Sequence, residues 1–153
     1  MTTKRTTSLL IVFALLLALS ATALADSAQI IGTGTLTASG SGRAVLRGDG
    51  SVDVSGSGVF KVLDCGGDAV ITVTGNGLKV VKQKGNCVLH KYIGFDGTAS
   101  VTGDNVKVKI KGVGIEMTAT GTGIVRLNGV GVFQIGDRSG LWSDRGVEVY
   151  LPG

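Results

Sequence analysis

Cys65, Cys87 and His90 are the residues of this chain best suited to hold a metal or attack a substrate, and their small number limits what they can do. A structural zinc takes four ligands at compact spacings, whereas here two thiols far apart in the chain accompany a lone histidine. An even cysteine count in an oxidising compartment favours pairing, so a Cys65–Cys87 disulfide is expected. The carboxylates Asp49, Asp53, Asp64, Asp68, Asp96, Asp104, Glu116, Asp137, Asp144 and Glu148 are spread along the chain. Gly66-Gly67-Asp68 has a faint likeness to the calcium-binding corners of β-rolls, but the nonapeptide behind those corners does not repeat. These acids read as solvated turn aspartates. The chain holds no Gly-x-Ser-x-Gly elbow, no Walker loop, no His-Glu-x-x-His and no Gly-x-Gly-x-x-Gly. The expectation is a protein that is not an enzyme, with no catalytic residues, no metal and no cofactor.

Binding chemistry is better represented. One basic stretch runs through Lys79, Lys82 and Lys84 into His90, Lys91, Tyr92 and Phe95, and another places Lys107, Lys109 and Lys111 on alternate residues. Together they form the candidate binding set: a cationic patch for acidic polysaccharide or anionic lipid headgroups, with Tyr92 and Phe95 as stacking surfaces. The reading favoured over that patch is a solvated strand face whose lysines discourage edge-to-edge aggregation. The segment from 78 to 96 interrupts the surrounding repeat, and function concentrates in such interruptions of a rigid scaffold.

The elements that would carry these residues are strands. Gly-x-Gly triplets stand at 32/34, 40/42, 48/50 and 56/58, eight residues apart. Between them Leu36, Ala38, Ala44, Leu46, Val52, Val54, Phe60 and Val62 are apolar, and most odd-numbered neighbours are polar. That alternation marks half-buried strands. The apolar positions keep one parity through four units, which excludes two-residue hairpin loops because these would flip it. Two all-β arrangements remain. A β-solenoid, with three octads to a coil of 24 residues, is favoured because repeated units bury their faces by stacking. The alternative is an antiparallel meander closed as a barrel or sandwich, pairing Leu36 with Leu46 and Val52 with Val62. Further triplets at 75/77, 112/114, 121/123 and 129/131 extend the pattern, and no helical period follows the amino terminus.

Lys4 and Arg5, the apolar run Leu9 to Leu19, and small residues at Ala23 and Ala25 have the layout of a secretory signal peptide covering 1–25. Residues 26–135 form the glycine-rich β-repeat domain, and 136–153, with the only tryptophan at Trp142, its carboxy-terminal cap or tail. Removal of Lys4 and Arg5 takes the formal charge from +4 to +2. That is too mild to point to nucleic acid, and no further apolar run is long enough to span a membrane. Export to the extracellular space, cell surface or periplasm is expected.

The units Gly40-Ser-Gly-Arg-Ala-Val-Leu46 and Gly56-Ser-Gly-Val-Phe-Lys-Val62 resemble the repeats of the exported adhesins with a head GIN domain. That resemblance implies a β-solenoid in the cell envelope and adds no catalytic residues. The expected function is a structural or adhesion-type role at the envelope, with cell-surface polysaccharide or self-association as partners. The alternative is a small carbohydrate- or anion-binding module.

Overall fold

The computed structural model describes residues 29–153, so the expected signal peptide lies outside the described residues. The described chain is all-β and its sheet is open. Six strands follow in order: β1 (Gln29–Ile31), β2 (Leu36–Asp64), β3 (Val70–Lys84), β4 (Cys87–Ile135), β5 (Arg138–Leu141) and β6 (Val147–Pro152). No helix among the described residues is long and apolar enough to cross a membrane.

The pairing is antiparallel and long-range. At the centre of the chain, Lys84 pairs with Cys87 around a two-residue turn at Gly85-Asn86, and β3 runs back along β4 to Val70 opposite Thr102. The same ribbon continues with β2 on β4, from Asp64 opposite Val106 to Leu36 opposite Ile135. Residues 36–135 are thus one very long hairpin. Its other edge is used as well: Leu36 also faces Ala119, and Asp64 also faces Val88. The two partners of Leu36, Ala119 and Ile135, are sixteen residues apart, or two octads. The hairpin winds on itself so that each arm meets the next turn of the other.

This pairing differs from both arrangements weighed above. Leu36 pairs with neither Leu46 nor the residue one 24-residue coil further on, because the partner strand comes from the other half of the chain. The reason is visible at the bends, where glycines meet glycines across the ribbon. Gly50 sits opposite Gly121 with φ of 132° and 122°. A Cβ on Gly50 would collide with the carbonyl oxygen of Thr120, and one on Gly121 with that of Asp49. Gly42 and Gly129 repeat the arrangement. Two strands that bend together need the missing side chain on both sides, at a φ that a side chain disfavours.

The bends divide the ribbon into two layers. In layer A the segments lie side by side in the order 131–135, 36–40, 115–120, 51–56, 97–102 and 70–74; in layer B they run 122–127, 42–48, 106–111, 58–64, 88–93 and 78–84. β5 extends layer A beside 132–135, while β6 and then β1 extend layer B beside 122–127. Alternate residues from both layers enter one core that includes Leu36, Phe60, Val108, Ile115, Leu127 and Val149. Trp142 is buried in that core and donates from Nε1 to the Val132 carbonyl at 3.0 Å. The Cys65–Cys87 disulfide is formed and ties the 65–69 loop to the strand leaving the hairpin tip. Asp64 organises that loop, accepting from the Gly67 amide at 2.7 Å and the Ala69 amide at 3.3 Å.

Candidate anion-binding face

Residues directly opposite one another on neighbouring strands project from the same side of a sheet. On the outward side of layer B this rule brings cations together. Arg47 stands opposite Lys107, Arg43 opposite Lys111, and Lys61 between Lys109 on one side and Lys91 on the other. Lys82 joins the row of Lys107 through Leu63 and Leu89. Neighbouring strands are about 4.8 Å apart, so these ammonium and guanidinium groups share a compact area. Acidic relief is sparse. Among the described residues, the single salt bridge is Arg126 to Glu148 at 3.4 Å, at the far side of the layer.

Two lysines register this crowding. Partial burial, followed by the charges of Arg47, Lys84 and Arg43, holds the Lys107 ammonium below its ordinary range. Lys109 is lowered in the same way, by burial first and then by Lys61, Arg43, Lys107 and Lys111. Like charges directly across a sheet destabilise it, so this face carries a strain that a bound anion would relieve. At one corner, Arg43, Lys109, Lys111, Asn128 and Asp144 line a depression of about 370 Å³. There Arg43 donates to Asn128 Oδ1 at 3.1 Å.

The structure gathers part of the sequence-derived set and disperses the rest. Lys82, Lys84, Lys91, Lys107, Lys109 and Lys111 belong to the cationic face. Lys79 lies on the other side of its strand, its Nζ 5.8 Å from the Tyr92 ring centre. His90 is half-buried, and its Nδ1 has no hydrogen-bond partner.

Tyr92 and Phe95 are corrected outright. They are 6% and 1% exposed and pack on Phe60, with ring centres 5.7 and 5.2 Å away, so they are core and cannot stack on a ligand. Both point inward although they stand three positions apart, because Gly94, at φ 65°, is skipped between Ile93 and Phe95 in the pairing with β2. That extra residue is a bulge, and it reverses the alternation.

Arg43, Arg47 and Lys61 were missed. Their odd parity within the octads marks them as outward, but only the pairing with β4 places them beside Lys107, Lys109 and Lys111. The corner aspartates are engaged with backbone: Asp49 accepts from the Asn105 amide at 2.6 Å and Asp68 from the Asp104 amide at 3.1 Å. Comparison with protein-family models, curated proteins and solved structures returned no match.

Proposed function

We propose that this chain is an exported, non-catalytic β-protein of the cell envelope that adheres to acidic polysaccharide through the outward face of layer B. The observation that carries this reading is the row Lys109, Lys61, Lys91 on three adjacent strands, flanked by Arg43, Arg47, Lys107 and Lys111, with no ion-pair partners among the described residues. A lattice of cations at strand spacing matches a linear polymer that bears one carboxylate per sugar. The Cys65–Cys87 disulfide supports an oxidising compartment. The signal-type amino terminus and the likeness of the Gly-Ser-Gly units to envelope adhesins support the same setting.

Retention of the protein on immobilised polygalacturonate tests the reading. Binding is expected at low salt and should weaken steeply as salt rises, because the screening length falls from about 10 Å at 0.1 M to 3 Å at 1 M. The triple substitution Lys61→Gln, Lys91→Gln, Lys109→Gln should abolish retention without unfolding the protein. Retention that survives the triple change, or binding to phosphatidylglycerol vesicles with none to polygalacturonate, would overturn it.

A further inference from the structure

The outward face of layer A has the opposite character, and we infer that it is a second binding site, for an uncharged, hydroxyl-rich glycan chain. Lysine and arginine are absent from its outward rows. One row runs Gln134, Thr37, Thr118, Asp53, Ser100, Thr72; the next runs Val132, Ser39, Glu116, Ser55, Thr98, Thr74. The face forms a shallow, open concavity of about 620 Å³ over its central strands. That volume is in the range of small-ligand sites, generally 300–1,000 Å³.

The chemistry of the floor selects among ligands. An anion would meet Asp53 and Glu116 with no compensating cation. A metal ion would need more ligands than the face supplies, since no group of three His, Cys, Asp or Glu side chains comes together among the described residues. What remains is a ligand that both donates and accepts hydrogen bonds. Hydroxyls do both, carboxylates accept, and the Gln134 amide does both.

Asp53 already accepts from the Ser100 hydroxyl, which orients that group within the row. Glu116 has no side-chain partner among the described residues and lies in the middle of the concavity. A sugar also presents apolar C–H faces, and the rim provides for them. Val132 lines the concavity 54% exposed, and Leu141, its partner on β5, is 71% exposed. Hydroxyl-bonding groups in the centre and aliphatic side chains at one rim are the two halves of a pyranose surface.

The two faces are back to back, so a molecule held to a polyanion by layer B would present layer A to a second, neutral glycan. The protein would then bridge two polymers of different charge.

An amide-resolved NMR titration of the protein with a panel of uncharged hexasaccharides (malto-, cello-, xylo- and chitohexaose) tests this site. At least one sugar should shift amides confined to 37–39, 53–55, 98–100, 116–118 and 132–134. Glu116→Ala should weaken that sugar about tenfold, or about 1.4 kcal/mol. The triple lysine substitution on layer B should leave it unchanged, so failure of this site is distinguishable from failure of the polyanion reading. Absence of shifts with all four sugars, shifts outside these segments, or undiminished affinity in Glu116→Ala would overturn the inference. So would shifts at this face produced by raising protein concentration alone, which would assign it to a second copy of the chain.

Discussion

Lys109 is the residue at which stability and binding are most directly opposed. It faces Lys61 across the sheet and feels Arg43, Lys107 and Lys111 as well. Lys109→Gln removes this repulsion and should raise the thermal midpoint while weakening retention on polygalacturonate. A gain of a few tenths of a kcal/mol is the scale expected for one such cross-strand pair.

The pH dependence has a definite sign. Because the folded protein holds Lys107 and Lys109 below the ordinary lysine value, it binds protons there less readily than the unfolded chain. Their penalty is complete at neutral pH and is relieved as pH rises through the lowered folded values toward the ordinary one. Stability contributed by these two groups should therefore increase in the alkaline range just below the ordinary lysine value, while polyanion binding declines. Urea unfolding of the wild type and of Lys107→Gln/Lys109→Gln across that range isolates the effect, since the double variant lacks it. Identical pH profiles for the two proteins would remove this explanation.

At the scale of elements, the bends are the parts least tolerant of change. Gly121→Ala combines a φ that alanine resists with a collision against the Asp49 carbonyl. It should cost more than the roughly 1 kcal/mol by which a compatible glycine-to-alanine exchange stabilises a protein. Chemical denaturation should show the loss, and a variant as stable as the wild type would mean that the paired glycines are not needed.

These bends were partly legible. The octad glycines and the even-numbered core residues from Leu36 to Val62 could be read directly, because alternation survives wherever no residue is inserted. The direction of the repeat was not. The triplets at 40/42 and 48/50 are mirrored by 129/131 and 121/123 about the Gly85-Asn86 turn. A repeat that only translates along the chain looks the same locally as one that reflects. Parity also failed at the inserted Gly94, which puts Phe95 in the core with Tyr92. The comparable change at Gly114, from Val106, Val108 and Ile110 to Ile115, Met117 and Ala119, was legible because apolar residues mark the face on both sides of it.

For the whole molecule, net charge conceals the main asymmetry. A formal charge of +4 for the full chain is the balance of a layer B face crowded with cations, a layer A face that bears Asp53 and Glu116, and aspartates at the corners. Long-range pairing of β2 with β4 makes the cationic face, so three of its members, Arg43, Arg47 and Lys61, lay in octads that looked merely structural. The most direct measurement is lysine acetylation footprinting of the protein with and without polygalacturonate, quantified at each lysine by mass spectrometry. Lys61, Lys91, Lys107, Lys109 and Lys111 should be protected, while Lys79, turned away from the face, is labelled equally in both states. Uniform labelling, or protection at Lys79 in place of those five, would contradict it.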